Sequence, residues 1–461
     1  MANRYDLVII GSGPGGYVAA VRAAQLGLKT ACVEKWPRLG GVCLNVGCIP
    51  SKALLDSSEY FHLAKTQLAS HGITTGAVDM DVSKMMARKE QVVKELTDNV
   101  KKLLENHKIV IVQGTARLAG KNRVAVDSEG RTETLEAENI ILATGSAPVA
   151  PAGLAFDGRT ILSSTEILKL DAVPGRLGIV GGGYIGLELG SVWLRLGSQV
   201  TVIEMLPEIA SSMDGQVRRR LQSLLKKQGF TFRLGTRVKR ATAAGDKATV
   251  AIESDGKSET LEFDKLLVSV GRRPLTQELN LEAVGVATDR ETGFVRVDAS
   301  LRTSVAGIYA IGDLVPGPML AHKASAEGNA AAEIIAGKPG EVNYDAIPSI
   351  VYTAPEVASV GLTEEQVKER GIPYVTGAFP FAGAGRARCL GETEGFVKLI
   401  AHKATDRILG VHIIGARAAE MIAEAVLALE FGASAEDIAR TVHGHPTFAE
   451  ALMEAAAAAR K

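Results

Sequence analysis

Two thiols define the chemistry open to this chain. Cys43 and Cys48 lie in the stretch Leu39-Gly-Gly-Val-Cys-Leu-Asn-Val-Gly-Cys-Ile-Pro-Ser-Lys52, with four residues between them. In a regular helix, positions i and i+5 stand about 8–9 Å apart at Cα, and a disulfide requires less than about 7 Å. Pairing therefore demands a departure from the ideal helix, which Gly41, Gly47 and Pro50 permit. A bond closed in so small a loop is labile and oxidising, which suits a working redox pair. Two readings compete with it. One is a pair of buried, inert thiols. The other is half of a zinc site, but four ligands would be needed, and Cys32 and Cys389 stand isolated rather than paired.

A second constellation stands near the C-terminus: His443-Gly-His445-Pro-Thr-Phe-Ala-Glu450, ahead of an alanine-rich run. Pro446 suits a first helical position. His445 with Glu450 would make a base and its orienting carboxylate, which thiol chemistry needs. The competing reading is a histidine that merely packs at a helix start. His443 and Cys389 read as structural.

The elements that must position these groups begin with a βαβ unit over residues 5–34. The apolar run Leu7–Ile10 predicts a buried strand, Gly11-Ser-Gly13-Pro-Gly-Gly16 a G-x-G-x-x-G turn, Tyr17 to Leu26 a helix, and Thr30 to Val33 a strand closed by Glu34. Such a turn brings a pyrophosphate to a helix N-terminus, and the terminal acid accepts from ribose hydroxyls. The same unit recurs at Leu177–Val180, Gly181-Gly-Gly183-Tyr-Ile-Gly186 and Val200–Ile203 with Glu204; Gly11 to Gly181, Gly27 to Gly197 and Glu34 to Glu204 share one offset of 170. Two dinucleotides are implied. After Glu204 the first basic residue is Arg218, so a carboxylate rather than a cation would meet a 2′-phosphate; this favours NAD over NADP.

Residues 53–107 read as helical, with Val93, Leu96, Val100, Leu103 and Leu104 at core spacing. A strand is expected over 138–143, short strand-like runs over 230–270, and a strand at Gly307–Asp313 followed by a helix opening at Gly317–His322. From about residue 346 the pattern turns to hairpins and two helices, an α+β arrangement.

The composition sets outer limits. The chain has 461 residues, enough for about three domains. Its 52 basic and 52 acidic residues cancel, leaving no stripe for nucleic acid and no polybasic segment for a membrane surface. Four cysteines do not make a secreted disulfide scaffold. No apolar run reaches about 18 residues, and the strand at residues 5–10 leaves no room for a signal segment. A cytoplasmic protein is expected.

Together the cysteine stretch, both glycine units, Ala143-Thr-Gly-Ser146, Ile311-Gly-Asp313, Met319-Leu-Ala-His-Lys323 and His445-Pro-Thr-Phe-Ala-Glu450 resemble the flavin-dependent pyridine nucleotide-disulphide oxidoreductases over nearly the whole chain. Val42, usually Thr in that family, and the glycine-rich Phe379–Ala387 are departures. The resemblance implies an α/β fold of two Rossmann-like dinucleotide-binding domains, for FAD and NAD, plus a C-terminal α+β dimerisation domain. The expected division is 1–147 (FAD), 148–270 (NAD), 271–345 (a central domain completing the FAD site) and 346–461 (dimerisation). Cofactor contacts are expected from Gly11, Gly13, Pro14, Gly15, Gly16, Glu34, Lys35, Gly41, Val42, Lys52, Gly114, Thr144, Gly145, Ser146, Asp313, Met319, Leu320, Ala321 and His322 around the first unit. Around the second they are expected from Gly181, Gly183, Tyr184, Ile185, Gly186, Glu188, Glu204, Val238, Val270 and Gly271. Lys52 would pair with Glu188, Asp313 would hold the ribityl chain, and no metal is expected.

The resemblance further implies oxidation of protein-bound dihydrolipoamide to lipoamide with reduction of NAD⁺. Cys43 would act as the interchange thiol, Cys48 as the thiol nearer the flavin, and His445 with Glu450 as the base serving the partner subunit's cysteines in a homodimer. It also implies a cis bond before Pro446. The partner would be a lipoyl-bearing protein of a 2-oxoacid dehydrogenase complex or the glycine cleavage system. The alternative within the family is a glutathione- or mercuric-reductase-like enzyme; the first prefers NADPH, against Glu204, and the second would need a C-terminal cysteine pair, which is absent after Cys389.

Overall fold

The apolar run Leu7–Ile10 becomes the buried centre of strand Arg4–Ile10, with parallel neighbours on both sides: Thr30–Glu34 and Arg131–Leu142. Buried on both faces, such a strand carries continuous rather than alternating apolar residues. The computed structural model describes residues 4–460. The chain forms two units interleaved along its length. The first gathers the chain up to Leu54, Ser83–Val149 and Gly271–Val342; the second gathers Leu55–Val82, Ala150–Val270 and the chain from Asn343.

In the first unit, Val110–Gln113 extends the parallel sheet beyond Thr30–Glu34. On the other side Arg131–Leu142 is long enough to serve two partners. Its first half pairs antiparallel with Arg123–Ser128, and its last residues pair parallel with Ile308–Ala310. Residues after 271 thereby complete the sheet that begins at Arg4. Helix Pro14–Gln25 packs on helix Ala321–Ile335 through small residues: a Cβ on Gly328 would lie 2.5 Å from the Gly15 carbonyl oxygen. Their N-termini are held at one end by that contact and by Gly15, which meets Ala324.

The second unit repeats the design in a parallel sheet ordered Thr231–Arg233, Gln199–Ile203, Arg176–Val180, Lys265–Val268, Ile161–Leu162. Helices Tyr184–Arg195 and Gly215–Gln228 accompany it, with an antiparallel meander of Arg237–Ala244, Lys247–Ser254 and Lys257–Phe263. Its remaining part is an antiparallel sheet ordered Ser349–Val351, Glu356–Gly361, Ile408–Gly415, Phe396–His402, Tyr374–Pro380. Helix Glu450–Ala458 lies directly on the last strand, where Gly377 leaves room for the Ala455 carbonyl.

Two expectations need correction. Residues 53–107 are not one helical stretch: helices Cys48–Thr66 and Val82–Asn106 are separated by the non-helical segment 72–81. Gly72 takes φ +75°, and Thr74-Thr75-Gly76 carries no apolar stripe to bury. The C-terminal part holds five helices rather than two, because Glu364–Glu369, Gly385–Leu390 and Ala435–Arg440 add three of only six residues each. Segments that short do not display a 3.6-residue period. Cis bonds precede both Pro355 and Pro446, the second as the resemblance implies.

Candidate active site

The cysteine stretch breaks between its two sulfurs. Helix Gly41–Val46 ends at Gly47, and a new helix, Cys48–Thr66, begins at the next residue. A side chain at Gly47 would place Cβ 2.9 Å from the Val42 carbonyl oxygen and 3.3 Å from Cys43 Cα. Only glycine lets the chain fold back this closely. The Asn45 amide donates to the Leu39 and Gly41 carbonyls at 3.0 and 2.9 Å, fixing the first turn. Cys43 and Cys48 are thiols here, joined by a hydrogen bond. That bond, with burial of Cys43, pushes the Cys43 thiol up, while the Lys52 ammonium pulls in the opposite direction. Cys43 is half-buried and Cys48 exposed.

Beside them stands the first glycine turn. Gly41 is so close to Gly13 that a Cβ would lie 2.7 Å from the Gly13 Cα. Gly11 adopts φ +106°, where a Cβ would collide with the Ala143 carbonyl. Glu34 closes the turn from inside: Oε2 accepts from Ser12 N–H and Oγ at 3.0 and 2.6 Å, and Oε1 from Trp36 N–H at 2.9 Å. The second unit reproduces this arrangement. Gly181 has φ +105°, and Glu204 accepts from Gly182 and Leu206 N–H groups at 2.6 and 2.8 Å. A Cβ on Gly13 or on Gly183 would meet nothing within 4 Å. These two glycines open the turns toward free space just ahead of helices Pro14–Gln25 and Tyr184–Arg195. First-turn N–H groups and the positive helix end face that space, so each cradle fits the pyrophosphate of FAD or NAD.

Thr144–Ser146 and Asp313 meet in the first unit. Ser146 Oγ donates to Asp313 Oδ2 at 2.5 Å, while Arg272 donates to Ser146 through Nε (to Oγ, 2.7 Å) and Nη2 (to O, 2.7 Å). Thr144 Oγ1 donates to the Leu275 carbonyl at 2.7 Å. Arg272 escaped the sequence reading, since its partner lies 126 residues away. Met319 and Leu320 lead into helix Ala321–Ile335, with His322 exposed in its first turn. Gly114 N–H donates to the Glu34 carbonyl at 2.9 Å, tying the expected cofactor positions to one another. Lys35 instead pairs with Glu278 at 2.9 Å. Val238 lies on Arg237–Ala244, and Val270 is exposed in the second unit; Gly271, with φ +142°, belongs to the first.

His445 and Glu450 form the expected dyad in the second unit. His445 Nδ1 lies 2.8 Å from Glu450 Oε1, and Oε2 accepts from Thr447 N–H at 2.7 Å. The Thr447 amide first, then His445, holds the Glu450 carboxyl below its usual range. The His445 side chain is 79% exposed. Phe448, between them, is buried edge-on against Phe381 with ring centroids 5.6 Å apart and anchors the segment. His443 is engaged elsewhere, with Nε2 2.7 Å from Glu424 Oε1 and Nδ1 2.8 Å from the Thr441 carbonyl. Glu188, on Tyr184–Arg195, accepts from Tyr352 N–H at 3.0 Å.

Residues 5–328 match the family described as pyridine nucleotide-disulphide oxidoreductase, and residues 347–456 match its dimerisation domain. The chain belongs to the pyridine nucleotide-disulphide oxidoreductase family. It is 50% identical over 460 residues to the mitochondrial dihydrolipoyl dehydrogenase of Pisum sativum, covering 99% of this chain and 92% of that protein. It is 51% identical to the dihydrolipoyl dehydrogenase of Trypanosoma brucei brucei, covering 98% and 96%. Among solved structures, the HOCl-induced flavoprotein disulfide reductase RclA of Escherichia coli, as its Cu(II) complex, superposes with TM-score 0.87 at 28% identity, covering 99% of both chains. As a member of this oxidoreductase family the chain works with FAD and a pyridine nucleotide, and its dimerisation domain makes it a homodimer. On that domain Leu427, Phe431 and Val442 are 59%, 81% and 94% exposed, apolar surface of the kind a partner covers. Among the described residues, no helix is long and apolar enough to cross a membrane.

Proposed function

We propose that this chain oxidises protein-bound dihydrolipoamide to lipoamide and reduces NAD⁺, using Cys43 and Cys48 with FAD. The observation that carries the reading is the break at Gly47, which brings the two thiols into hydrogen-bond contact beside the first glycine turn. Half-identity over full length to dihydrolipoyl dehydrogenases supports the choice of substrate. Glu204 supports NAD over NADP: its carboxylate, held at the second turn by Gly182 and Leu206, would repel a 2′-phosphate.

His445, oriented by Glu450, takes a proton from one thiol of dihydrolipoamide. The resulting thiolate attacks Cys43 Sγ of the oxidised pair, breaking the Cys43–Cys48 bond and leaving Cys48 as the thiolate. The second substrate thiol, once deprotonated, displaces Cys43 from the mixed disulfide. Lipoamide leaves with its ring closed, and the enzyme holds two reduced cysteines. Lys52, whose charge acts on Cys43, also stabilises thiolate in this stretch. Bound FAD supplies the two-electron relay between the dithiol and NAD⁺. Glu34, Asp313 and the N-terminus of Ala321–Ile335 would hold it.

In the homodimer His445 and Glu450 serve the partner subunit's cysteines. The division 1–147, 148–270, 271–345 and 346–461 is part of the same reading, as are a lipoyl-bearing protein partner and a cytoplasmic location, which cell fractionation checks. Single-cysteine variants test the thiol roles. Offered oxidised lipoamide, whose ring S–S bond a free thiolate can open, Cys48→Ser should form a mixed disulfide on Cys43, visible by mass spectrometry once the released lipoyl thiol is alkylated, whereas Cys43→Ser should form none. An adduct confined to Cys48 would reverse the assignment.

A further inference from the structure

Lys323 and Glu327 form an ion pair of 3.1 Å whose side chains are both 0% exposed. Burying two charges is a poor way to gain stability, since an apolar pair of similar size packs as well or better. Two further bonds of the pair converge on one residue. Lys323 Nζ donates to the Gly312 carbonyl at 3.0 Å, and Gly312 N–H donates to Glu327 Oε2 at 2.6 Å. Gly312 sits at φ +70° in the turn leading to Asp313, so both its peptide groups are clipped to the first two turns of helix Ala321–Ile335. The Gly312 carbonyl belongs to the same planar unit as the Asp313 amide, so the clip sets the Asp313 backbone. Ser146 meanwhile fixes Asp313 Oδ2, and among the described residues Oδ1 has no protein partner.

We propose that Lys323 and Glu327 are positioning residues for FAD, locking the turn that bears Asp313 to the helix whose N-terminus faces the flavin. This rests on the reading of Asp313 as a flavin contact. The pair touches neither cofactor nor substrate in this account; it acts through Gly312.

The test is FAD release from the diluted holoenzyme, followed by flavin fluorescence, beside thermal melting. In the uncharged double variant Lys323→Met/Glu327→Leu, melting of the protein portion should be retained while the FAD dissociation constant rises about tenfold or more, the loss expected for hydrogen bonds made by charged groups. Val124→Ala, a core truncation in the same unit, should lower the melting temperature and leave FAD affinity alone. Asp313→Ala should weaken FAD as the double variant does. In the unaltered chain stripped of FAD, the Gly312 amide should already resist hydrogen exchange. Wild-type affinity in the double variant with weak binding in Asp313→Ala would overturn the clip alone; wild-type affinity in Asp313→Ala would overturn the contact and the clip together. Free exchange at Gly312 before FAD binds would overturn the clip even if the double variant did not fold.

Discussion

At the residue scale the chemistry resides in few side chains, and most were visible in the sequence because their partners are near neighbours. Cys43 and Cys48 face each other across the break at Gly47, and His445 reaches Glu450 five residues on at 2.8 Å. Replacing His445 by Gln should lower turnover with dihydrolipoamide about 100-fold or more, the usual contribution of a positioned base. Replacing Glu450 by Gln should cost less, about tenfold, because the imidazole remains and only its orientation and ionic support are lost. Steady-state rates with NAD⁺ check both, and unchanged turnover in His445→Gln would remove it from the mechanism. Arg272, Lys323 and Glu327 were not legible. Arg272 and Ser146 lie 126 residues apart, and nothing in the motif Met319–Lys323 shows that its lysine is buried against Glu327.

Among elements, the glycine-turn units were the most legible, because turn, strand and acid lie within about 30 residues and the pattern occurs twice. The short C-terminal helices were the least, because tertiary contacts rather than periodicity make them. One such helix, Glu364–Glu369, takes part in a charge cluster that carries a pH prediction. Lys398 Nζ, 2% exposed, bonds Asp214 Oδ1 and Oδ2 at 3.0 and 2.8 Å and Glu364 Oε2 at 2.6 Å; Asp214 also caps helix Gly215–Gln228. Lys368 and then Lys398 hold the Glu364 carboxyl down at about 2. Burial pushes Asp214 up, but Lys398 and His412 outweigh it, so its carboxyl also titrates below the ordinary range. Groups whose folded value is depressed stabilise the fold above their unfolded value and lose that contribution as pH falls. For Glu364 the loss runs from about pH 4.5 toward 2. His412, buried and pushed below 6.5, adds loss as pH falls from that value. Melting temperature should therefore fall through the acid range. Lys398→Met should cost about 3–5 kcal/mol at neutral pH by leaving Asp214 buried without its cation, and should flatten the decline below pH 4.5. An unchanged acid profile in that variant would contradict the assignment.

For the whole molecule, the sequence conveyed two dinucleotide units, a later segment returning to the first of them and a dimerisation segment, but not that Leu55–Val82 leaves the first unit for the second. Residues 83–149 and 271–342 join the first unit because Arg131–Leu142 pairs with strands from both ends of that unit. The dimer makes a prediction of its own. Inactive Cys43→Ser and inactive His445→Gln homodimers, unfolded together and refolded as mixed dimers, should recover about half the wild-type activity per mixed dimer, since one site then has both groups intact. If each subunit supplies its own base, mixing recovers nothing. The central claim concerns the substrate pair, and one rate comparison on the purified flavoprotein tests it: NAD⁺ reduction by dihydrolipoamide against NADPH oxidation by glutathione disulfide. Rapid turnover of the first pair and little of the second is the expected result; the reverse preference would contradict both the substrate and the reading of Glu204.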